Sequence, residues 1–382
     1  MIFHLDLDSF YVSAARLKDP TLIGIPVAVG GSAGRGVLST ASYEARKYGI
    51  RSAMPVSQAL RILPSLKIVP GDYAWYSELS QKVFAIVARY APILEQVGSD
   101  EAYLDMQGTE ALFGPPLVAA EKIRKTIFDE TGLTASIGIS SNRRVSKIAS
   151  DYCKPNGSIL IEEGKEREFL LPLDLKKIPG IGPQAEKILQ SEGLFKVKDL
   201  DRWRDQDLIS RFGSMGEFLI EVKNGEGSKD FFEASKTRTS SRETTFLEDV
   251  RDPVTIQKTL WELAADLGSS LRSEEEEAVS FAHGIRLKLR TPDFKTISRQ
   301  RVCAQPTRLD RKIFDEAVSL FLDAWDAKTP IRLIGIGIIL GDGNYQPGLF
   351  ETPQAQDEKM DRMKDEMRKK FGKNAFLTGR DF

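Results

Sequence analysis

Long hydrophobic runs are missing from this sequence. Its 382 residues are 41% hydrophobic and 29% charged, and no segment approaches the ~18 consecutive apolar residues of a membrane-spanning helix. Residues 1–6 lack the basic and apolar regions of an export signal. We therefore expect a cytoplasmic protein with no membrane partner and with enough chain for several domains.

Cysteine and histidine are scarce. The two cysteines, Cys153 and Cys303, lie in different segments and form no metal-ligand spacing, which favours reduced structural thiols. With His4 and His283 as the two histidines, we expect neither a histidine-based zinc site nor a histidine-dependent triad.

An excess of charge of one sign is also missing, because the formal net charge is −1. The local distribution is more informative. Residues 285–301 contain one acid, Asp293, and a strip of basic side chains. The strip consists of Arg286, Lys288, Arg290, Lys295, Arg299 and Arg301. Such a strip is typical of surfaces that bind phosphates.

Residues 97–105 place two adjacent carboxylates, Asp100 and Glu101, between apolar runs that predict a hairpin. Two carboxylates beside a strand turn repel each other unless a cation neutralises them. A hard divalent ion with oxygen ligands would do so. On this stretch alone, a solvated acidic turn is the better-supported interpretation.

Residues 2–7 alternate in polarity and predict a half-buried strand, followed by Asp8 or Ser9 as the N-cap of a helix over residues 10–17. Without an inserted segment at residues 19–71, the order strand, helix, hairpin, helix, strand predicts a ferredoxin-like α+β layout.

In that layout Asp6 lies beside Asp100 and Glu101. Three carboxylates on one edge would suit two divalent ions that promote phosphoryl displacement. Neighbours in a regular strand face opposite sides, so we expect a turn or bulge at Asp100 and Glu101.

Two basic motifs are ambiguous when taken alone. Tyr43 and Arg46 share one face of a short helix and could contact a triphosphate, or could belong to an ordinary surface helix. Lys154 opens a Lys-Pro-Asn-Gly turn, where a lysine is usually just solvated.

Residues 179–182, Pro-Gly-Ile-Gly, predict a helix-hairpin-helix whose backbone N–H groups meet a DNA phosphate. A plain turn between packed helices is the alternative, and we favour the DNA interpretation. Residues 346–350 could enter a partner's pocket or dock on the protein itself. A methionine stripe on the last helix, which consists of Met360, Met363, Met367 and Phe371, is expected to pack on the protein.

Several ordered motifs together resemble the Y-family DNA polymerases, in the bacterial DNA polymerase IV branch. They are HLDLDSFY (4–11), STASYEAR (39–46), RSAMP (51–55), SDEAYLD (99–105), KIASD (147–151) and KPNG (154–157). The order and spacing run almost unbroken to about residue 193; beyond it the likeness is one of layout. Where the family usually has serine and an aliphatic residue before Asp-Glu, this chain has Gly98 and Ser99.

The resemblance implies a right-hand architecture in an α+β multidomain chain. Its parts would be a ferredoxin-like palm (1–18 and 72–165), inserted fingers (19–71), a helical thumb with the helix-hairpin-helix (166–228), a linker (229–245), a separate α+β little finger (246–341) and a tail (342–382) with a clamp-binding peptide. The role of residues 351–382 is open.

The resemblance also implies roles for individual residues. Catalytic Asp6, Asp100 and Glu101 would hold two Mg²⁺ ions together with the backbone carbonyl of Leu7, and Mn²⁺ would be able to substitute. The nucleotide-binding residues would be Phe10, Thr40, Tyr43, Arg46 and Lys154. Tyr11 would be the steric gate against ribonucleotides. DNA would contact Gly180, Gly182, Arg286, Lys288, Arg290, Arg299 and Arg301. A sliding clamp would bind Gln346, Leu349 and Phe350.

The implied function is template-directed addition of deoxynucleotides to a primer on DNA. The enzyme would act as a monomer, at low fidelity, past damaged template bases and without proofreading, as a mutator in DNA repair and replication. Two alternatives are a nucleotidyl cyclase with similar carboxylates and a non-catalytic DNA-binding or clamp-associated factor.

Overall fold

The chain forms two compact units. The computed structural model describes residues 1–31, 34–231, 238–273, 280–342 and 353–372. The first unit covers Met1–Ala234 and the second Ser235–Phe382. In those described ranges, no helix is both long and apolar enough to cross a membrane.

Strands and helices alternate over the first 160 residues. In chain order they are β1 (Ile2–Leu7), α1 (Phe10–Lys18), β2 (Val27–Gly30), β3 (Leu38–Ala41), α2 (Tyr43–Arg46), α3 (Val56–Ile62), β4 (Lys67–Val69), α4 (Tyr73–Val87), β5 (Ile93–Gln96), β6 (Glu101–Asp105), α5 (Glu110–Phe113), α6 (Pro116–Thr131), β7 (Ala135–Ser140), α7 (Arg143–Tyr152) and β8 (Ser158–Leu160). The predicted first strand and the helix after it are both confirmed.

The central sheet has five strands in the order β5-β6-β1-β7-β8. Its first four strands pair antiparallel, in the order of the split βαβ layout that the sequence predicts. The fifth strand, β8, is parallel to β7 and was not predicted, because three residues are too few to show a periodic pattern.

Strand β1 is buried on both faces, not half-buried as its alternating pattern predicts. Phe3 and Leu5 face the main core, and His4 on the other face is 0% exposed. Helix α7 covers that face. Gly138 of β7 permits this close approach, since a Cβ there would lie 2.1 Å from the carbonyl oxygen of Ser146.

The inserted segment has a separate small sheet in the order β3-β2-β4. Strand β4 runs parallel to β2 and closes the sheet. Helix α2 packs on a small core of the insert that includes Leu38, Ala45 and Ile50. This core therefore holds α2 at the edge of the insert.

A helical region completes the first unit. Its helices are α8 (Glu166–Leu170), α9 (Pro183–Ser191), α10 (Asp205–Phe212) and α11 (Ser214–Asn224), with 3₁₀ segments at Leu175–Lys177 and Val197–Arg202. They share a core with α7, so the helical region continues directly from the main sheet.

The second unit is a four-stranded antiparallel sheet backed by helices. Its elements are β9 (Thr239–Val250), α12 (Pro253–Ser273), β10 (Ser280–Arg290), β11 (Thr296–Thr307), α13 (Asp310–Ala324), β12 (Ile331–Asp342) and α14 (Pro353–Phe371). The strand order is β11-β10-β12-β9. The predicted linker over residues 229–245 is wrong from Thr239 onward, because that polar stretch is the edge strand β9.

Helix α14 contacts α12 with charged side chains between them, and the predicted methionine stripe is exposed at three of its four positions, with Phe371 67% exposed. Met360 and Met363 are 49% and 48% exposed. Arg272 of α12 has a side chain only 1% exposed and lies 2.7 Å from Asp365 and 3.6 Å from Asp361 of α14. The tail therefore includes an element that buries an ionic cluster in the second unit.

Candidate active site

The three predicted catalytic carboxylates lie near one another, where β1 ends and β6 begins. Asp6 of β1 is the register partner of Glu101 in β6. Asp100 lies in the turn before β6, and its carbonyl accepts a 2.8 Å hydrogen bond from the Leu7 amide. The expected break between Asp100 and Glu101 is confirmed, because the strand begins only at Glu101.

The unusual Gly98 does not require a glycine conformation. Its φ lies outside the left-handed region, and a Cβ there would make ordinary contacts with Asp100 and Glu101, at 3.6 and 3.7 Å. The neighbouring Ser99 hydroxyl lies 3.3 Å from the Tyr11 hydroxyl. The altered turn is therefore compatible with the carboxylate arrangement.

The protein surroundings shift the three carboxylates in different directions. Burial raises the pKa of Asp6 to about 6, although Lys154 opposes the shift. Burial and the nearby Glu101 raise the pKa of Asp100. Hydrogen bonding to His4, together with Lys147, lowers the pKa of Glu101 to about 2. Asp6 and Asp100 therefore resist ionisation, which a bound cation would reverse.

Two lysines already contact these carboxylates. Lys154 Nζ lies 2.7 Å from Asp6 Oδ2, and Lys147 forms an ion pair with Glu101. His4 Nε2 lies 3.4 Å from the same Glu101 oxygen, with Nδ1 2.8 Å from Ser150 Oγ. Over the part of the chain that the structure describes, no three acidic, histidine or cysteine side chains converge as a metal cage.

A cavity of about 200 Å³ lies beside Asp6 and Asp100. The predicted nucleotide-binding residues all line it. Its wall includes Asp6, Leu7, Phe10, Tyr11, Thr40, Tyr43, Arg46, Asp100 and Lys154. The structure thus brings the insert residues to the carboxylate edge, with Glu101 outside the lining and turned toward α7.

Tyr43 and Arg46 share one face of α2, as predicted. The Arg46 guanidinium lies 4.8 Å from the centre of the Tyr43 ring, and its Nε donates to the Ala41 carbonyl at 3.0 Å. Burial and the neighbouring Asp8 raise the pKa of Tyr43 to about 12. The tyrosine hydroxyl therefore stays protonated and able to donate.

Tyr11 lines the cavity and also belongs to an aromatic cluster. It stacks on Tyr76 at a centroid distance of 4.4 Å and meets Tyr73 edge-on at 5.8 Å. Tyr11 is therefore both a member of an aromatic cluster and part of the cavity wall. The stack fixes the orientation of the ring that faces the cavity.

Sequence reasoning missed Asp8, which it considered only as an N-cap. Ser9 is the N-cap of α1, and its side chain makes no capping hydrogen bond. The buried Asp8 carboxylate instead accepts hydrogen bonds from Ser136 and Tyr43. The signal that could have identified it is the period of two, which puts Asp6 and Asp8 on one side of an extended chain.

The Gly-x-Gly turn is exposed before α9. Gly180 has φ +103°, and a Cβ there would also lie 3.1 Å from Phe218, so this position requires glycine. Gly182 is the N-cap of α9. The element before the turn is a single 3₁₀ segment, where the sequence predicts a helix.

The predicted basic strip is divided between two faces of the second sheet. Arg286, Lys288 and Arg290 alternate with buried leucines, so they point away from the helices. Arg299 pairs with the buried Leu287 and therefore points to the helical side. Arg301 shares that side and contacts Ser319 and Asp323 of α13 at 2.8 and 2.9 Å.

The open face of this sheet has a shallow groove of about 220 Å³. Gly335 and Gly337 form its floor, with Arg286 and Lys288 along one side. The predicted clamp residues Gln346, Leu349 and Phe350 lie outside the described residues.

Three neighbouring carboxylates where β1 ends and β6 begins, beside a cavity lined by arginine, lysine and tyrosine, indicate a phosphoryl-transfer enzyme of the nucleotidyltransferase class. Family comparison narrows this class. The impB/mucB/samB family matches residues 5–151, and the C-terminal domain of that family matches residues 238–340. The chain therefore belongs to the Y-family DNA polymerases, in the DNA polymerase IV branch.

Individual relatives agree. The chain is 36% identical to DNA polymerase IV of Dehalococcoides mccartyi strain CBDB1, covering 100% of this chain and 97% of that protein. DNA polymerase IV of Staphylococcus aureus strain Newman is 35% identical, at 93% and 98% coverage. The Y-family chimera Dbh-Dpo4(243-245)-Dbh shares the fold, with a TM-score of 0.76, 24% identity, and 88% and 98% coverage.

The protein is accordingly a DNA-directed DNA polymerase of low fidelity that carries out translesion synthesis. This identification excludes the two alternatives, a nucleotidyl cyclase and a non-catalytic DNA-binding or clamp-associated factor.

Proposed function

We propose that Asp6, Asp100 and Glu101, with the Leu7 carbonyl, hold two Mg²⁺ ions, for which Mn²⁺ can substitute. This assignment is supported by the position of the three side chains, where β1 ends and β6 begins. It is also supported by their oxygen donors, which hard divalent cations prefer. Burial and repulsion from Glu101 raise the pKa of Asp100, and bound cations would oppose both effects. When bound, the ions activate the primer 3′-oxygen and stabilise the departing pyrophosphate.

The nucleotide site is proposed to be the cavity beside these carboxylates. Arg46 offers a planar guanidinium and Lys154 a compact ammonium to the phosphates. Thr40 adds a hydroxyl donor, Tyr43 forms a wall whose own hydroxyl donates to Asp8, and the buried Phe10 provides an apolar wall. Holding the triphosphate in line with the primer is the main catalytic contribution of these side chains.

Tyr11 is proposed as the steric gate. Its ring forms part of the cavity wall, and stacking on Tyr76 holds it in place. A 2′-hydroxyl on the incoming sugar would then collide with a ring that cannot swing aside without losing that stack.

DNA is proposed to contact two exposed surfaces. Gly180 and Gly182 would bring backbone N–H groups at the start of α9 to a phosphate. In the second unit, Arg286, Lys288 and Arg290 would follow the sugar-phosphate backbone along the open sheet face. Arg299 and Arg301, predicted to join them, lie on the opposite face and are the weaker candidates.

We also propose that the chain is divided like the right hand of a polymerase. The central sheet with α1, α4 and α6 would be the palm, the insert the fingers, the helical region the thumb, and the second unit the little finger. We further propose a cytoplasmic monomer that binds the sliding clamp through residues 346–350.

The decisive experiment is primer extension on a primed DNA template with Asp100→Asn. We expect at least about a thousandfold lower kcat, because a neutral amide cannot replace a metal-binding carboxylate. The matched control is Asp105→Asn, on the same hairpin but at the far end of β6, which should extend primers like the parent. Extension by Asp100→Asn at the parental rate would contradict the metal-site assignment.

A further inference from the structure

The carboxylate of Asp8 has a role that the metal and nucleotide assignments leave unexplained. Asp8 is 3% exposed and lies just after β1. Oxygen Oδ1 accepts from the Ser136 hydroxyl at 2.8 Å and from the Tyr43 hydroxyl at 3.3 Å. Oxygen Oδ2 accepts from the Asn156 amide at 2.8 Å. A buried carboxylate thus receives three neutral donors.

Each donor comes from a different part of the first unit. Tyr43 begins α2 of the insert, Ser136 lies on β7, and Asn156 lies two residues after Lys154. The turn is held from its other side by Arg124, whose Nη2 donates to Asn156 Oδ1 at 2.5 Å. Asn156 has φ 52°, a left-handed conformation that asparagine adopts more readily than most residues other than glycine.

We propose that Asp8 is a positioning residue that fixes Tyr43 and Lys154 relative to Asp6, and so sets the geometry of the triphosphate pocket. Asp8 follows Asp6 by two residues, while its two oxygens hold the insert on one side and the lysine turn on the other. This inference rests on the proposed nucleotide site and deepens it. Asp8 acts through Tyr43 and Lys154, not by contact with substrate.

The present direction of the three hydrogen bonds depends on a carboxylate at this position. Both oxygens of an ionised carboxylate accept, so all three donors are satisfied. An isosteric asparagine has one accepting oxygen and would turn its NH₂ group toward a donor. With Oδ1 on the Asn156 amide, the NH₂ group of Asp8→Asn would face the Tyr43 and Ser136 hydroxyls, which must then turn to accept. The variant therefore replaces two hydrogen bonds to a carboxylate by bonds of reversed direction to a neutral amide, while the volume of the buried group stays the same.

The test is single-nucleotide incorporation by the full chain with Asp8→Asn. We expect KM for the deoxynucleotide to rise about tenfold to a hundredfold, which corresponds to the loss of hydrogen bonds to a charged group. The affinity for primer-template and the Mg²⁺ concentration for half-maximal rate should not change. Nucleotide affinity measured on a chain-terminated primer, where no chemistry occurs, should fall by the same factor.

A double-mutant cycle separates positioning from general structural damage. Tyr43→Phe removes the hydroxyl that Asp8 holds, so its effect and that of Asp8→Asn should be less than additive. Fully additive effects, or an unchanged KM in a folded Asp8→Asn protein, would overturn the proposal. If Asp8→Asn fails to fold, Ser136→Ala replaces it in the cycle, because Ser136 donates to the same Asp8 oxygen without lining the cavity. Its effect on KM should again be less than additive with that of Tyr43→Phe.

Arg46→Ala distinguishes failure of this inference from failure of the proposed function. Arg46 lines the same cavity without bonding to Asp8. If Arg46→Ala raises KM and Asp8→Asn does not, only the positioning role is wrong. If neither variant changes KM, the cavity is not the nucleotide site.

Discussion

Lys154 Nζ lies 2.7 Å from Asp6 Oδ2 and 2.6 Å from Asp151 Oδ1. Burial alone would lower the pKa of Lys154, but the two carboxylates outweigh it and raise the pKa. The lysine is therefore a permanent cation in contact with a proposed metal-binding carboxylate. It also lines the cavity proposed for the triphosphate, so one ammonium group faces both parts of the site.

Lys154→Met should raise KM for the incoming nucleotide by about tenfold to a hundredfold, since it removes a charged phosphate contact but keeps the length of the side chain. Single-nucleotide incorporation kinetics check this. Lys165→Met is the control, because Lys165 is an exposed lysine that pairs with Glu168 on α8. Equal KM values for parent and Lys154→Met would remove Lys154 from the nucleotide site.

Tyr11→Ala should increase ribonucleotide incorporation relative to deoxynucleotide incorporation, by about a hundredfold or more. The removed ring is the part of the cavity wall that would meet a 2′-hydroxyl. Tyr11→Phe keeps the ring and its stack on Tyr76, and should preserve discrimination. If the alanine variant discriminates like the parent, Tyr11 is a core aromatic only.

Arg286→Ala combined with Lys288→Ala should weaken DNA binding and reduce the slope of log K against log salt by up to about two, roughly one per lost phosphate contact. Both side chains border the open groove of the second unit. Arg301→Ala is the matched comparison, because Arg301 contacts α13 on the opposite face. It should leave the salt slope unchanged. A larger slope change for Arg301→Ala would reverse the assignment of the faces.

Asp365→Ala should lower the stability of the protein by about 1–3 kcal/mol, because it leaves a buried guanidinium group of Arg272 without one partner. Thermal unfolding would measure the change. Asp357→Ala, at an exposed position of the same helix, should have little effect. Equal stability of the two variants would mean that α14 contributes nothing through this ion pair.

The stability of the second unit should also depend on Asp310. Burial raises its pKa to about 7 from 3.8, against the effect of the adjacent Arg272. The folded state therefore binds more protons than the unfolded state between these values, and stability from this group falls as pH rises through 7. The contribution of Asp310 to stability is fully present below about pH 4.

Asp310→Asn removes this titration while keeping the shape of the side chain. The melting temperature of Asp310→Asn minus that of the parent should therefore be larger at pH 8 than at pH 5. The comparison must also allow for Asp361 and Asp365, which face the same Arg272. The same difference at both pH values would show that Asp310 does not titrate between pH 5 and pH 8.

The candidate site could be predicted from the sequence in its main parts. Alternation located β1, the acidic pair located the hairpin turn, and the order of elements brought Asp6 to Glu101, as the register confirms. The first two predictions follow from short-range patterns, and the third follows from the order of the elements in a split βαβ layout. Periodicity states which residues share a face and where a turn interrupts a strand.

Tertiary structure decided what covers each face. The local pattern predicts that His4 is an exposed polar residue, but α7 packs over it. The polar sequence of β9 is typical of a linker, but this segment pairs with β12. Asp8 gained its three donors from segments 35, 128 and 148 residues away. Hydrogen bonds of this range depend on packing between distant elements, which no local pattern encodes, whereas the chemistry of each side chain was already set by the sequence.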